Sequence, residues 1–501
     1  MRKPLRWHEY VTLNFYWLGI SSVSGIITPL LLPYLVALFM PPELKNTYYA
    51  TIRVVTLAVA MFAQPLAGLL SDRNTSRFGR RRPFIFWGAI ANALFLMLIA
   101  LTPQFRNVNA DTFFLSTLGV PLAYFALIVA VSFQQAAGNF AHGATQGLLP
   151  DVVPDDQRGR AAGVKGIFEL LPSFFAILVG PLVDAGRIVE TAAIVAAVVL
   201  VSMLVTVLST REEPIAQRPS ENVRENVLRF LGLTLLFVAV TQLAQYGVIQ
   251  SNRLAGVAIA SLPLRIGLVG FIGLAAMALT IFVGVYSGAR LGIGKEASQH
   301  RSFIWWVVNR LLFLASIFSI QGFALYYLRD TLHLPNAATA TTILLAVVAI
   351  FLVVMSLVGG FLSDRFGRKR LVALAGVIAG AGAVLLLFAQ NFTMVIVCGC
   401  IIGIGVGLFW GSSWALGTDL IPPDQAGRYL GISNLAGAGA GIVGAGIGGP
   451  LADAFNAISP GLGYLVIFAI YAGLLLISSL VISRVDVPAL GMAAFDGSPN
   501  D

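Results

Sequence analysis

The amino-acid sequence predicts an all-α polytopic membrane protein of fourteen spans, built as two similar halves, on three observations. Of its 501 residues 57% are hydrophobic and only 11% are charged, where an ordinary soluble domain carries about 25% charged residues. Apolar stretches of about 20 residues, the length that crosses a bilayer as a helix, follow one another along the chain and exclude the short alternating strands of an outer-membrane barrel. Two loop sequences then recur, in the same order, in the two halves.

The first element follows a short basic tail, MRKPLRWHEY. The apolar stretch after it is too long for a signal-peptide core and lacks a small-x-small cleavage site, so 11–39 reads as the first span. Cutting the remaining apolar runs at charged and Pro/Gly clusters gives 47–70, 83–102, 116–149, 160–183, 188–209, 229–250, 267–289, 303–328, 338–362, 371–389, 393–420, 429–452 and 462–483. An even number of spans places both termini on one side. Of the 32 Lys and Arg residues, 24 fall on that side, among them Arg2, Lys3 and the run Arg80 to Arg82. Seven fall opposite, Lys45, Arg53, Arg106, Arg187, Arg253, Arg265 and Arg329, and Arg310 lies within a span. The positive-inside rule makes the termini cytoplasmic and the protein a multi-pass component of the cytoplasmic membrane. The net charge of +9 thus reports topology and implies no nucleic-acid partner. Cys398 and Cys400 lie in an apolar segment and read as small buried hydrophobes.

The repeat organises the chain. Gly68-Leu-Leu-Ser-Asp-Arg73 recurs as Gly360-Phe-Leu-Ser-Asp-Arg365, and Phe-Gly-Arg-basic-Arg follows each, at Phe78 to Arg82 and Phe366 to Arg370. Asp151-Val-Val-Pro-Asp-Asp-Gln-Arg-Gly-Arg160 recurs as Asp419-Leu-Ile-Pro-Pro-Asp-Gln-Ala-Gly-Arg428. Asn14, Ser21 and Ser24 echo Asn309, Ser316 and Ser319. The expected organisation is a six-helix half at 1–211, a linker and inserted two-helix hairpin at 212–302, a second six-helix half at 303–484 and a cytoplasmic tail at 485–501. Ser251 to Ile266 would be the outer connection of the hairpin.

The loop from Gly68 to Pro83 resembles the signature of the major facilitator superfamily, and Gln64-Pro65 with Ser71 to Ile85 is similar to the corresponding segment of the sucrose–proton symporters, in the sucrose and glycoside symporter branch. The resemblance implies the major facilitator fold and a secondary carrier working by alternating access, with substrate near the midplane between the halves. It makes Gly68, Asp72, Arg73, Gly79, Arg80, Arg81 and Asp151, with Asp364, Arg365, Gly367, Arg368 and Asp419, a gating motif. In it Asp72 and Asp364 brace the gate, while Arg73 and Arg365 pair with acids such as Asp151 and Asp419. Plant-type members carry an Asp and an Arg on the fourth helix where this chain has Gln135 and Gln146. The usual proton site is therefore missing.

Gln135, Asn139, His142 and Gln146 form one helical stripe, either lining a cavity or bonding a neighbouring helix. Gly138, Gly143 and Gly147 on the same helix allow close approach. For a sugar, aromatic rings stack on the ring faces while amides bond hydroxyls. That adds Trp17, Trp410 and Trp414, with Asn14, Gln321 and Arg310, to the substrate candidates. Arg310 serves either the solute or an interhelical acid. Glu169 is a candidate proton site or half of a structural pair with Lys165, and His142 a relay or a structural histidine. Trp305 and Trp306 read as interfacial.

Gly439-Ala-Gly441-Ile-Val-Gly444 fits a nucleotide-binding pattern but lies inside an apolar helix, where close packing explains it. Gly294-Lys295 lacks the rest of a phosphate-binding loop. No catalytic set, metal cluster or cofactor site stands out. The sequence therefore points to a non-enzymatic transporter of a sugar or similar small polar solute, with the proton as coupling ion, no cofactor, and the bilayer and the small solute as its partners. The alternatives are an exporter of drugs or amphipathic metabolites of the fourteen-helix type and a transport-inactive receptor or scaffold.

Overall fold

A computed structural model describes residues 4–212, 223–294, 300–421 and 426–486. Among these the chain forms fourteen long helices: α1 (Trp7–Phe39), α2 (Lys45–Asp72), α3 (Arg82–Leu101), α4 (Leu122–Val152), α5 (Arg158–Asp184), α6 (Ile188–Ser209), α7 (Val223–Ala258), α8 (Leu262–Ile293), α9 (Arg301–Asp330), α10 (Ala337–Phe366), α11 (Arg368–Leu386), α12 (Phe392–Asp419), α13 (Ala426–Asn456) and α14 (Leu462–Val481). Thirteen candidate spans, long and apolar enough to cross a membrane, are found among the described residues. The protein is a polytopic helical membrane protein.

Three boundaries differ from the sequence reading, each for a local reason. The first span is a broken helix, with a π-helical turn at Ile27–Leu31. Pro29 and Pro33 lack the amide hydrogen that regular α-helical bonding requires there. The segment 116–149 is two helices, because Gly119 adopts a left-handed conformation (φ 68°) that ends a short helix at Asp111–Leu118, and Pro121 caps α4. The connection expected at Ser251 to Ile266 shrinks to 259–261. Arg265 donates to Asn252 Oδ1 at 3.1 Å inside the hairpin, and α7 and α8 continue to the turn.

α1–α6 and α9–α14 repeat one packing pattern: α2 and α3 pack on α4, and α3 on α6, just as α10 and α11 pack on α12, and α11 on α14. The most extensive contacts between the repeats are α2 with α13 and α5 with α10, and the broken part of α1 also meets α9 and α10. The α7–α8 pair packs on itself and along α13, with α7 also touching α2 and α8 touching α14. Glycines make the α13 contacts close: a Cβ on Gly449 would lie 2.4 Å from the Asn46 carbonyl oxygen, and one on Gly444 2.2 Å from Ser319 Oγ. Helix packing therefore accounts for the glycine-rich motif of this segment.

The two ends of the bundle differ. At the end opposite the arginine-rich loops, polar contacts cross between the repeats. Asp184, ending α5, accepts from the amides of Ala338 (2.9 Å) and Thr339 (2.8 Å) and from Thr339 Oγ1 (2.6 Å) at the start of α10. Asp453, near the end of α13, accepts from the amides of Asn46 (3.2 Å) and Thr47 (2.6 Å) and from Asn46 Nδ2 (2.8 Å) at the start of α2. Each carboxylate thus satisfies orphan amides at a helix N-terminus and meets its dipole favourably. Lys45 pairs with Asp330, which also accepts from Tyr464 at 2.6 Å, and Tyr326 donates to the Pro33 carbonyl at 2.8 Å. Tyr49 closes the seam edge-on against Phe323 and Tyr326. At the arginine-rich end, Arg80 and Arg81 with Asp151 and Arg82 with the Val207 carbonyl join elements of the first repeat, and Arg368 with Asp419 joins elements of the second.

Candidate functional site

The arginine-rich loop of the first repeat is built around Gly79. Its φ of +99° suits glycine, and a Cβ there would lie 2.4 Å from Glu212 Oε2. Glu212 accepts the amides of Arg81 (2.9 Å) and Arg82 (3.3 Å), and burial pushes its carboxyl above the usual range despite them. The turn aims Arg80 and Arg81 back at the end of α4, where both donate to Asp151, each through Nε at 2.9 Å. Arg81 also pairs with Asp72, donates to Ser71 Oγ at 2.6 Å and reaches the Gly68 carbonyl at 3.3 Å. In the second repeat Gly367 (φ +91°) turns the chain so that Arg368 pairs with Asp419 and donates to the Ala415 carbonyl at 3.0 Å.

Asp151 and Asp419 are thus met by Arg80, Arg81 and Arg368. The arginine after the positive-φ glycine is directed at the end of the fourth helix, whereas Arg73 closes α2 before the turn and Arg365 lies over the Phe366 ring at 5.8 Å. The side chain of Asp364 lies outside the described residues.

Two cation–aromatic clusters occupy one depth in the bundle. Trp17, His142 and Lys165 in the first repeat, and Arg310 and Trp410 in the second, lie seven to ten residues from the helix termini at the arginine-rich end, or about 10–15 Å at 1.5 Å per residue. Lys165 Nζ sits 4.0 Å from the Trp17 ring centre, and His142 stands edge-on to the same ring at 5.3 Å. Arg310 lies over Trp414 (4.9 Å), Trp306 (5.7 Å) and Trp410 (6.0 Å). Such contacts are worth about 0.5–2 kcal/mol each. The spacing that equates Asp151 with Asp419 also equates His142 with Trp410 and Gln146 with Trp414. Trp410 and Trp414 are each 41% exposed, which leaves ring surface open beside the buried guanidinium.

Trp306 departs from its interfacial assignment. It is buried beneath Arg310 and donates from Nε1 to the Ser413 carbonyl at 3.0 Å. Glu169 is not buried in this conformation: it is 39% exposed and pairs with Lys165 at 3.3 Å, one helical turn away.

The α4 stripe is knit along its own helix, with Asn139 donating to the Gln135 carbonyl at 2.8 Å and Gln146 paired with His142 at 3.3 Å. The glycines make the close contacts, Gly143 against the Gln64 carbonyl and Gly147 against Arg81. Asn14 is buried, its amide donating to the carbonyls of Tyr10 and Ala161. Gln321 stands about 16 Å further along α9 than Arg310. Neither joins the clusters.

Two features escaped the sequence reading. Arg53, counted with the residues opposite the termini, is buried in α2 and donates to Thr28 Oγ1 at 3.3 Å. Asp184 and Asp453 close Gly180-Pro-Leu-Val-Asp184 and Gly449-Pro-Leu-Ala-Asp453, a third repeat that would have marked them.

Comparison with known proteins places two families on the two repeats: MFS/sugar transport protein matches residues 18–260, and Major Facilitator Superfamily matches residues 307–493. The sucrose transport protein SUC4 of Arabidopsis thaliana is 31% identical over 152 residues, 30% of this chain and 28% of that protein. The general alpha-glucoside permease of Schizosaccharomyces pombe is 25% identical over 175 residues, 33% and 30% of the two chains. The minor myo-inositol transporter IolF of Bacillus subtilis is 34% identical over 95 residues, 19% and 22%. The chain thus spans less than a third of the length of each of these relatives. Among solved structures, a peptide transporter POT in complex with sulfate superposes with a TM-score of 0.65 at 15% identity, covering 96% of both chains. The nucleoside transporter NupG superposes at 0.61 and 14% identity, covering 95% of this chain and 99% of its own. These two likenesses bear on the fold.

Proposed function

The chain belongs to the major facilitator superfamily, and from that premise we propose that it carries a sugar or similar small polyhydroxylated solute across the cytoplasmic membrane by alternating access, coupled to protons, with both termini cytoplasmic. One observation carries this reading: polar contacts bridge the two repeats at one end of the bundle, while among the described residues at the other end Arg80 and Arg81 pair with Asp151 in one repeat and Arg368 with Asp419 in the other. In that orientation the sealed end is outer and the cavity opens inward.

Asp184 and Asp453 are then two related latches, each holding a helix of the opposite half by its N-terminus. Opening outward breaks both sets of bonds and draws the arginine-rich loops together, so solute and proton bias one equilibrium. The clusters at Trp17 and Arg310 offer ring faces and donors at one depth, chemistry suited to a polyol. The sucrose, alpha-glucoside and myo-inositol transporters among the relatives support a sugar. Lys165 and Glu169 are the candidate coupling pair, with His142 beside them.

Exchange in proteoliposomes tests the solute class. Counterflow of labelled sucrose, maltose or inositol into vesicles loaded with the same compound is expected. No exchange of any sugar, with efflux of a cationic dye instead, would assign the chain to the exporters.

A further inference from the structure

Three arginines are buried among the described residues, Arg53, Arg81 and Arg310. Arg81 pairs with Asp72 and Asp151, and Arg310 lies over the indole rings of Trp414, Trp306 and Trp410. Arg53 stands eight residues from the start of α2, about 12 Å below the sealed end, and is 9% exposed. It donates to Thr28 Oγ1 at 3.3 Å, and among the described residues it pairs with no carboxylate and lies over no aromatic ring. Thr28 is a neutral hydroxyl, so the charge stays unbalanced. A guanidinium taken out of water is costly unless an opposite charge sits beside it.

The cleft beside Arg53 sets what kind of charge fits. It lies between α1, α2 and α4, is shared with Ser24, Thr28, Thr56, Gln134 and Gln135, and has room for about one water-sized species. That space excludes a solute bearing a carboxylate or phosphate and admits a monatomic ion. The side-chain hydrogens select its sign. Thr28 Oγ1 accepts from Arg53, which leaves the hydroxyl hydrogen to donate, and Gln135 accepts from Asn139 through Oε1 at 3.2 Å, which leaves its amide Nε2 as a donor. Thr56 donates to the Ile52 carbonyl at 2.8 Å and Gln134 to Asn92 Oδ1 at 2.9 Å, so these two hold the walls. No acidic side chain lines the cleft. A water would satisfy the donors and leave the charge, whereas an anion satisfies both. We propose that Arg53, Thr28 and Gln135 form a binding site for a monatomic anion, chloride, within the first repeat and behind the sealed end. The π-helical turn at Ile27–Leu31 presents Thr28 to it. The site is independent of which solute is carried.

The thermal denaturation midpoint of the whole chain, purified in detergent and titrated with sodium chloride, bromide, sulfate or gluconate at constant ionic strength, tests this without any transport assay. An ion that binds the folded state raises the midpoint saturably. Chloride and bromide should do so, and sulfate and gluconate, too large for the cleft, should not. Arg53→Gln should lose the chloride response, and Arg53→Lys should keep it at a higher half-saturating concentration. Gln135→Asp, which places a fixed carboxylate in the same cleft, should also lose it, with a midpoint in gluconate at or above that of the parent; this variant carries the test if Arg53→Gln fails to fold. Equal midpoints in all four salts overturn the proposal. Sulfate matching chloride overturns it in favour of a general salt effect. A chloride response unchanged in both Arg53→Gln and Gln135→Asp overturns it by placing the ion elsewhere.

Discussion

At the scale of single residues, backbone conformation decides which charges meet. The resemblance directs Arg73 to acids such as Asp151, and the left-handed turn at Gly79 brings Arg80 and Arg81 to it. Residue counting carries no such geometry, which is why the motif was legible and its pairing was not. The two turn glycines give a graded test. Gly79→Ala meets backbone strain and a Cβ clash with Glu212, whereas Gly367→Ala meets strain with open space around it. Strain alone costs about 1–2 kcal/mol, so the alanine at position 79 should lower the thermal denaturation midpoint more than the alanine at 367. Equal shifts would remove Glu212 from the account. Glu169 is the residue to test for coupling. Exposed and paired with Lys165, it must change surroundings to move a proton. Glu169→Gln should abolish uphill uptake and spare counterflow; unchanged uphill uptake would make the Lys165 pair structural.

Helices show what hydropathy can and cannot place. Spans were legible because each needs a continuous apolar run, and all fourteen expected segments coincide with long helices to within several residues. What eluded the pattern were interruptions set by single residues, such as the π-helical turn in α1 and the break at Gly119, and charges drawn into a helix. Arg53 is the sharpest example: a cation near the start of a span reads as interfacial, and its burial depends on α1 and α4 closing over it. The helix-capping aspartates belong to this scale as well. Each cap is worth about 1–2 kcal/mol, so Asp184→Ala or Asp453→Ala should raise the population open at the sealed end roughly 5–30-fold, and the double variant more. Labelling of a cysteine introduced at Thr28, which lies behind the seal, by a membrane-impermeant thiol reagent measures this. Labelling no faster in the double variant than in the parent would show that the caps do not hold the end closed.

For the whole molecule, the duplicated packing gives two units joined most extensively through α2 with α13 and α5 with α10, and the same four helices carry the caps. A contact set that crosses the repeats at one end is what a two-state carrier needs, because breaking it costs little relative to the core of either unit. The repeated loops made this duplication visible in the sequence. Which end carries the joining contacts was not legible, since that depends on how the two units dock and not on any local sequence pattern. The inserted pair lies along α13 and touches both units, a placement that loop lengths alone do not give. The most direct test of the account is accumulation of labelled sugars in proteoliposomes with and without an imposed inward proton gradient. The account predicts concentrative uptake that requires the gradient and collapses with a protonophore; gradient-driven efflux of a cationic dye with no accumulation of any sugar would contradict it.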